Sequence, residues 1–242
     1  MNIQEECTSR FKNEKEYLGD IKPVNLSIPL ISVSVSTYQH KNYIKKCLDG
    51  ILMQVTNFSI EIIVGEDGSL DGTREICIEY AEKNTDKIRL FLRNRETSQL
   101  YDENGKYIAR FNGVWNRMSA RGKYIANCEG DDYWTDPHKL QKQVDFLEAN
   151  GDYGLVHTDL DQYDTVRDKW IRGLWEQSKK NKISGDIYEL LMISNEFGIY
   201  FCTMCFRSHF VIRNKEFDDV LAQNFMYGDV PLYLHIARQS KI

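Results

Sequence analysis

Short apolar runs alternate along the first half of the chain with stretches whose apolar residues recur at helical spacing. Ile31–Ser36, Ile60–Gly65 and Ile88–Leu92 are rich in aliphatic residues, so each predicts a strand. Asn42–Met53 has apolar residues three or four positions apart, and a second such segment begins at Asp71, so both predict helices. Helices that alternate with strands of this length indicate a parallel sheet with right-handed crossovers.

The later part of the chain continues this alternation. Asp136 followed by Pro137 predicts the start of a helix, because aspartate caps helices and proline fits their first position. The segment between Arg93 and Arg110 is polar and contains a glycine, which predicts a loop or small hairpin able to cover a site. Residues 160–185 show no clear period. The other predicted elements are a helix over 111–120, a strand over 123–128, the end of the Asp136 helix at Asn150-Gly151, and strands over 153–157 and 199–206.

Three carboxylates fall within four positions directly after the predicted strand at 123–128. They are Glu129, Asp131 and Asp132, and Gly130 separates the first from the others. Like charges this close raise each other's pKa and cost stability unless a cation neutralises them. Oxygen ligands at a strand end suit a hard divalent ion, Mg²⁺ or Mn²⁺, that itself holds phosphates. Taken alone, such a cluster is more often a solvated acidic turn.

Composition and charge limit the class of protein to which the chain can belong. The chain has 242 residues, 42% of them hydrophobic and 28% charged, which is ordinary for one α/β domain. The net charge of −5 argues against a nucleic-acid partner. No stretch approaches the roughly 18 apolar residues that span a bilayer, and the polar N-terminus is unlike a secretory signal, so a cytoplasmic protein is predicted. The C-x-x-C pair Cys202 and Cys205 lies in an apolar run and predicts buried free thiols, since no second pair completes a zinc site.

Three groups of polar residues follow predicted parallel strands. They are Ser36-Thr37-Tyr38, Glu66-Asp67 and Glu129–Asp132. Ligands of open parallel sheets bind in the crevice outside these carboxyl ends. The glycine-rich fingerprint of dinucleotide-binding folds does not follow the first strand, and there is no P-loop. Phosphate charge would therefore be met by a metal at the acidic cluster, which points to a nucleoside diphosphate held with a divalent ion.

Three motifs, in order, resemble those of the family-2 glycosyltransferases, the inverting enzymes of the GT-A fold that use nucleotide-sugars. They are Ile31–Tyr38, Ile62–Thr73 and Ala120–Trp134, and the resemblance is strong over residues 30–160. It implies an α/β, Rossmann-like fold whose mostly parallel central sheet is flanked by helices, with a smaller mixed region on the acceptor side. It also implies transfer of a sugar from a nucleoside diphosphate sugar, with UDP favoured, to a glycan or lipid-linked acceptor. The implied cofactor is Mn²⁺ or Mg²⁺.

The same resemblance implies how the first two groups of residues contact the nucleotide. Ser36 and Tyr38 would line the base pocket, with Thr37 between them. Asp67, preceded by Glu66, would accept a hydrogen bond from a base N–H, which favours uracil or thymine over cytosine.

The third group would meet the sugar and the phosphates. Glu129-Gly130-Asp131 takes the place of the family's D-x-D motif, so Glu129 would face the ribose and Asp131 would bind the metal. Asp132 is either a second acid behind the metal site or a contact to the sugar. Arg117 is a candidate contact to the diphosphate or the sugar.

An inverting transferase also needs a general base that deprotonates the acceptor hydroxyl. The family places this base at the start of a late helix, and Asp229 lies two positions before Pro231 at such a start. A helix-capping aspartate is the alternative interpretation. The chain departs from the family's usual pattern in two places. Around the first turn, Ser36 and Gln39 replace proline and asparagine. In the later motif, Glu129 replaces the commoner aspartate.

The chain is predicted to divide into an N-terminal extension (1–29), a nucleotide-sugar-binding half (30–135) and an acceptor-side half of the same domain (136–242). Family members usually continue beyond such a late helix, so we expect a C-terminally truncated domain whose missing residues bring it to the inner face of a membrane. Two alternatives remain open. One is a non-catalytic nucleotide-sugar-binding or interaction protein on the same fold. The other, a sugar-nucleotide pyrophosphorylase, is disfavoured because the loop after the first strand has no glycine.

Other conspicuous residues leave two interpretations open. His157 with Asp159 and Asp161 resembles a metal or acid–base cluster, although such residues more often line a turn or the acceptor side. Trp170 and Trp175 would either stack on an acceptor sugar or lie in the core.

Overall fold

The computed structural model of the protein describes residues 3–19, 28–177, 184–193, 199–212, 214 and 229–242. The strands are β1 (Ile31–Thr37), β2 (Ile60–Glu66), β3 (Ile88–Leu92), β4 (Gln99–Tyr101), β5 (Tyr107–Arg110), β6 (Tyr124–Asn127), β7 (Leu155–Val156), β8 (Gln162–Asp164), β9 (Lys169–Ile171) and β10 (Cys205–Arg207). The helices are α1 (Ile3–Phe11), α2 (Ile44–Leu52), α3 (Thr73–Lys83), α4 (Arg95–Ser98), α5 (Asn112–Met118), α6 (Lys139–Ala149), α7 (Leu174–Gln177), α8 (Tyr188–Ile193) and α9 (Asp229–Ala237).

A six-stranded sheet in the order β3-β2-β1-β6-β10-β7 forms the centre of the molecule. β1 pairs in parallel with β2 and β6, and β2 pairs in parallel with β3. β10 is antiparallel to both of its neighbours, β6 and β7. The structure therefore confirms the predicted α/β fold with a mostly parallel sheet flanked by helices.

One face of the sheet packs on α2, α3 and α6. Helix α2 forms because its apolar residues lie on one side, where Ile44, Leu48 and Ile51 are fully buried. The opposite face packs on α5 and, nearer β10, on α8 and α9. Because both faces are covered, the ends of the strands are the part of the sheet left to hold polar groups.

Helix α5 is held against the carboxyl ends of β1 and β2 by two amide side chains. Asn112 Nδ2 donates to the carbonyl of Gly65 (3.0 Å), and Asn116 Nδ2 donates to the carbonyl of Val35 (2.9 Å). Position 65 must be glycine, because a Cβ there would overlap the side chains of Arg93 and Asn112. This close approach fixes α5 beside the ends of both strands.

The N-terminal extension contains a helix that the sequence pattern did not predict. In α1, the carbonyl of Cys7 accepts a hydrogen bond from Trp115 Nε1 (3.1 Å). Arg10 donates to the carbonyls of Thr97 and Gln99, both at 2.9 Å. The helix therefore docks on α5 and on the segment that leads into β4.

The residues after α1 pair with charged side chains around β3. Glu14 Oε2 lies 2.6 Å from Arg93 Nε, and Glu16 Oε2 lies 2.7 Å from Arg89 Nε. The amide of Tyr17 donates to the carbonyl of Leu90 (2.7 Å). Residues 3–19 are thus bound to the domain along the edge formed by β3.

Three predicted boundaries are wrong in detail. Helix α6 begins at Lys139 and not at Pro137, because Asp136 closes a turn by accepting from the amides of His138 (2.9 Å) and Lys139 (3.2 Å). The predicted strand over 199–206 starts only at Cys205, since a 3₁₀ turn over Phe201–Thr203 precedes it. The predicted strand over 153–157 is limited to β7.

The stretch over 160–185 forms a hairpin of β8 and β9 followed by α7, as far as the structure describes it.

In the parts of the chain that are described, no helix is long and apolar enough to cross a membrane.

Candidate functional site

The loops after β1, β2 and β6 lie side by side at one edge of the sheet, as the sequence predicts. The amide of Asp67 donates to the carbonyl of Thr37, and the amide of Gly130 donates to the carbonyl of Ser36, both at 3.0 Å. These bonds continue the pairing of the sheet beyond its strands. The three predicted groups of polar residues therefore share one edge.

Asp67 is a buried carboxylate with one unsatisfied oxygen. Its Oδ1 accepts from the hydroxyl of Ser98, while Oδ2 is buried and has no hydrogen-bond partner in the described structure. Burial raises the pKa of Asp67, and the Ser98 hydrogen bond and the charges of Arg95 and Arg110 oppose this rise. A buried acceptor with a free lone pair is well placed to receive an N–H group from a ligand.

Arg95 stacks on Tyr38 beside this carboxylate. The Arg95 guanidinium carbon lies 3.7 Å from the centroid of the Tyr38 ring. Hydrogen bonds from Gln39 and from Arg95 lower the pKa of Tyr38. Arg95 is the first residue of α4, whose N-terminus is capped by Asn94 (3.0 Å to the amide of Glu96). Segment 93–110 thus forms α4 and the predicted small hairpin, β4 with β5, and it contributes a flat cationic group beside Asp67.

Glu66 and Thr37 are engaged with the protein itself. Glu66 is fully buried, with Oε1 accepting from the amide of Ser69 (2.6 Å) and Oε2 accepting from Arg74. This carboxylate therefore fixes the loop that presents the following aspartate. The Thr37 hydroxyl, also buried, lies 3.3 Å from Nδ1 of His40.

The acidic cluster after β6 forms a tight turn with two exposed carboxylates. Glu129 and Asp131 are exposed, Asp132 is half-buried, and the amide of Asp132 donates to the carbonyl of Glu129 (2.9 Å). Gly130 is buried against β1, where an added Cβ would lie 2.7 Å from the Cβ of Thr37. Only glycine fits this position, and the close packing turns the side chains on either side of it outward.

The metal prediction for Asp131 fits this geometry. Its side chain is 54% exposed, and its Oδ2 lies 3.9 Å from Nε2 of His40. Across the described ranges, no group of three or more histidine, cysteine, aspartate or glutamate side chains could hold an ion by itself. Mg²⁺ is usually bound by one or two carboxylates together with substrate phosphates, so the exposed carboxylate of Asp131 suits an ion completed by a diphosphate.

Asp132 differs from Asp131 because it lies against a cluster of buried groups. Burial, and then the charge of Asp131, raise the pKa of Asp132, while a hydrogen bond from the thiol of Cys202 lowers it. Behind the turn, burial lowers the pKa of Lys139 to about 8, and its ammonium lies 4.4 Å from the ring centroid of Trp134. Trp134 is therefore a core residue beneath the turn.

Arg117 is a buried cation whose hydrogen bonding is incomplete. It is 6% exposed, and its Nε has no partner in the described structure. Burial lowers its pKa to about 10, against the opposing effects of Cys7 and Glu129, so the guanidinium is still protonated at neutral pH. Its guanidinium carbon lies 5.8 Å from the ring centroid of Phe201. A buried charge of this kind fits an anionic ligand.

Asn127, the last residue of β6, adds a second unsatisfied group on the strand that leads to the acidic turn. It is fully buried beside Ser34 of β1. Neither atom of its side-chain amide has a hydrogen-bond partner in the described part of the chain. Such a group is costly unless a ligand or water satisfies it.

The predicted base and the His157 cluster lie in the later half. Helix α9 begins at Asp229, but the structure describes only the backbone of that residue, and Tyr227 and Gly228 lie outside the described residues.

Burial lowers the pKa of His157. Asp159 accepts from the amide of Glu176 (3.2 Å) and Asp161 pairs with Arg172 (2.5 Å), so both carboxylates hold the region of β8, β9 and α7 together.

Four residues near the site were not identified from the sequence. His40, Arg95, Ser98 and Asn127 reach the edge of the sheet through contacts between distant segments. The only signal for them was position, because His40 shares the loop of Ser36–Tyr38, and Arg95 and Ser98 lie in the segment predicted to cover a site.

Known proteins match about half of the chain at the level of sequence. An uncharacterised protein of Mycobacterium tuberculosis is 43% identical over 118 residues, which are 49% of this chain and 31% of the relative. An uncharacterised glycosyltransferase of Nostoc sp. is 31% identical over 128 residues, which are 52% of this chain and 35% of the relative. The chain spans less than half the length of these curated relatives.

Solved structures show the same fold. The crystal structure of residues 1–349 of S. aureus TarS has a TM-score of 0.55 at 18% identity, covering 86% of this chain and 55% of that one. The same fragment in complex with UDP has a TM-score of 0.52 at 17% identity, covering 85% and 53%. This similarity confirms the GT-A type of fold. The profile of glycosyl transferase family 2 matches residues 32–213, more than half of the sequence, and the chain therefore belongs to that family.

Proposed function

We propose that this chain carries the donor site and the general base of an inverting glycosyltransferase that moves a sugar from a UDP-sugar to a glycan or lipid-linked acceptor. One observation carries the proposal: three groups on neighbouring loops and on α5 are either buried with incomplete hydrogen bonding or exposed to solvent. They are the free oxygen of Asp67, the buried charge of Arg117 and the exposed carboxylate of Asp131. Together they offer an acceptor, a cation and a metal ligand, which a nucleobase, a diphosphate and a divalent ion require.

The nucleotide part of the proposal rests on the surroundings of Asp67. Its unpaired Oδ2 would accept the ring N–H of uracil, and cytosine has no such hydrogen. Tyr38 and Arg95 would pack against the base, and Glu129 would face the ribose. The UDP complex of TarS, a protein of the same fold, supports a uridine nucleotide.

The diphosphate would lie between Arg117 and Asp131. Mn²⁺ or Mg²⁺ on Asp131 would offset the negative charge of the leaving diphosphate. Arg117 would donate to phosphate oxygens from a buried position, where charge-assisted hydrogen bonds are strong. Asp132, which is less exposed than Asp131, would support the turn or contact the sugar.

The donor site is tested by calorimetry with UDP, GDP, CDP and dTDP, each with Mn²⁺ and with EDTA. We expect UDP to bind in Mn²⁺ and to bind at least about tenfold more weakly in EDTA, a difference of about 1.4 kcal/mol. Asp131→Asn should remove the dependence on metal, whereas Asp145→Asn, which changes an exposed carboxylate on α6, should not. Absent or metal-independent binding of all four nucleotides would contradict the proposal.

Asp229 would act as the general base that deprotonates the acceptor hydroxyl. Its place at the start of α9 supports this assignment. Asp229→Asn should abolish transfer and leave the affinity for UDP with Mn²⁺ within about twofold of the original, because the change removes proton acceptance and not a donor contact. A parallel loss of nucleotide binding would instead mark Asp229 as structural.

A further inference from the structure

Large aromatic side chains are exposed at the start of α2 and on the hairpin of β8 and β9. Tyr43 is 48% exposed, Tyr163 is 43% exposed and Trp170 is 39% exposed. Tyr163 and Trp170 are paired across the hairpin of β8 and β9, with ring centroids 5.1 Å apart. Exposed apolar groups that occur together mark interaction sites more often than single ones do.

These rings continue outward from the acidic turn. The Nε2 of His40 lies 3.9 Å from Asp131, and the rings of His40 and Tyr43 are 6.5 Å apart in an edge-to-face arrangement. A hydrogen bond to Asp168 and burial raise the pKa of Tyr163, and the nearby Tyr43 raises it further. We define the aromatic strip as His40, Tyr43, Tyr163 and Trp170.

The charges beside Trp170 compensate each other. The guanidinium carbon of Arg172 lies 4.5 Å from the ring centroid of Trp170, and Asp161 pairs with the same arginine at 2.5 Å. Phosphate-rich partners bind where cations are left uncompensated, which is not the case at this ion pair. Tyrosine and tryptophan rings instead present a flat apolar face with a polar tip. A pyranose ring has the complementary form, with C–H groups on its face and hydroxyls at its rim.

We propose that the aromatic strip binds a neutral, pyranose-containing glycan, the acceptor of the transfer reaction. Sugar rings would stack on Tyr43 and Trp170, and the reacting hydroxyl would face the anomeric carbon of the donor sugar from the side opposite its diphosphate. The inference deepens the proposed function and rests on it, because it takes Asp131 as the donor side.

Tyr43 separates this proposal from a purely structural role of the rings. The pair of Tyr163 and Trp170 also stabilises its own hairpin, since cross-strand aromatic pairs do so. Tyr43 lies outside the hairpin, at the N-cap of α2, where its side chain makes no capping hydrogen bond. Tyr43→Ser removes the ring and supplies a capping hydroxyl, so α2 is not weakened.

The experiment measures binding of the whole chain, with UDP and Mn²⁺, to immobilised oligosaccharides. The probes are neutral gluco-, manno-, galacto- and N-acetylglucosamine oligomers, with sulfated and sialylated oligomers as the anionic set. We expect binding to at least one neutral series, and about a tenfold loss of affinity for it in Tyr43→Ser and in Trp170→Leu. Tyr107→Ser, at an equally exposed tyrosine (48%) of the other hairpin, should keep the affinity within about twofold of the original.

Binding that survives both strip substitutions, or binding to anionic oligomers alone, would overturn the proposal. So would the absence of neutral-glycan binding in a protein that binds UDP with Mn²⁺. Loss of glycan binding in Tyr43→Ser, in a chain that fails to bind any nucleotide, would support the aromatic strip and contradict the donor site instead.

Discussion

Asp67 shows, at the scale of one residue, a buried group in the candidate site whose hydrogen bonding is incomplete. Its Oδ1 is bonded to Ser98, but its Oδ2 is buried without a partner in the described structure. An incompletely bonded carboxylate costs stability when it is ionised in a buried place. Asp67 therefore costs the fold free energy that the proposed nucleotide would offset by donating to its free oxygen.

Asp67→Asn is expected to raise stability and to weaken nucleotide binding. Because the pKa of Asp67 is raised by burial, the ionised form destabilises the folded state above that pKa. The penalty shrinks as the pH falls toward the ordinary value of 3.8 and disappears below it, where the carboxyl is protonated in both states. The variant should thus melt at a higher temperature than the original at pH 8, and the difference should shrink toward pH 4.

UDP affinity should fall by about tenfold to a hundredfold in the same variant, since an amide N–H would face the N–H of the base. Calorimetry with Mn²⁺ measures this loss, and thermal melts at pH 4, 6 and 8 measure stability. Asp145→Asn, on the exposed side of α6, is the control for both readouts. A lower melting temperature at pH 8 with unchanged affinity would show that Asp67 serves the fold alone.

Gln39 is a residue for which the sequence pattern and the structure explain each other. It stands where the family usually has asparagine, and its φ of +56° lies in the left-handed region. Asparagine tolerates this region better than other side chains do, which accounts for the usual residue. Here the backbone N–H of Gln39 donates to the hydroxyl of Ser69 (2.9 Å) and holds the turn in place.

At the scale of elements, one buried arginine adds to the contacts that join the N-terminal segment to α5. Arg93 is 1% exposed in its side chain and bonds to Glu14 on one side. On the other side its Nη1 donates to the carbonyl of Asn112 (2.9 Å) and to Oδ1 of Asn116 (2.6 Å). Helix α5, which carries Arg117, is therefore tied to residues 3–19 through this contact.

Glu14→Gln is expected to destabilise the fold by about 2 kcal/mol, because it leaves the buried charge of Arg93 without its carboxylate. UDP affinity should fall several-fold as α5 loses its support. Urea denaturation gives the stability, and calorimetry gives the affinity.

The matched control is Glu79→Gln, which breaks the surface pair with Lys83, where both side chains are more than half exposed. Such pairs contribute little, so no measurable change is expected. If Glu14→Gln were as mild as this control, the N-terminal segment would be an appendage and not a support of the site.

The predicted strands and helices were found where local pattern decides structure. β1, β2, β3, α2 and α3 are set by aliphatic runs and helical spacing, which a sequence displays directly. Helix α1 was missed because its apolar side consists only of Ile3, Cys7 and Phe11 and depends on a groove formed by distant residues. The 3₁₀ turn before β10 was missed because Thr203 bonds locally, through its hydroxyl, to the carbonyl of Tyr200 (2.6 Å).

In the candidate site, too, some residues are predictable from the local sequence and others depend on contacts between distant segments. Asp67 and Glu129–Asp132 were predictable because they directly follow strands that the pattern defines. Arg95 and Asn127 were not, since nothing in the local sequence shows which side chains will lack partners after folding. A sequence can place a loop at the edge of a sheet, but the completeness of hydrogen bonding depends on the packed molecule.

For the whole molecule, the apolar cores raise the free energy of unfolding, whereas the incompletely bonded groups of the candidate site lower it. The two faces of the sheet are packed by helices, while the edge carries a cation and a carboxylate that are both buried and incompletely bonded. A ligand that satisfies such groups binds only the folded state and so stabilises it. The size of this gain is set by the ratio of the ligand concentration to its dissociation constant.

This reasoning gives a prediction about the melting temperature. UDP at about 100 times its dissociation constant, with Mn²⁺, should stabilise the chain by about 2.7 kcal/mol and raise its melting temperature by about 5–10 °C. Arg117→Met should melt higher than the original without ligand, because burial already lowers the pKa of Arg117 to about 10 and so disfavours its charged form. At the same UDP concentration, the variant should gain only about 1–2 °C, as expected for roughly hundredfold weaker binding.

Arg167→Met is the control for this experiment, since Arg167 is an arginine whose side chain is 80% exposed at the turn of the β8 and β9 hairpin. The melting temperature of this variant should match that of the original chain both without ligand and with UDP. A variant of Arg117 that melts lower without ligand and keeps the full gain with UDP would show that the arginine supports packing and does not meet the diphosphate. The two temperatures, with and without nucleotide, therefore separate a buried charge kept for the fold from one kept for the ligand.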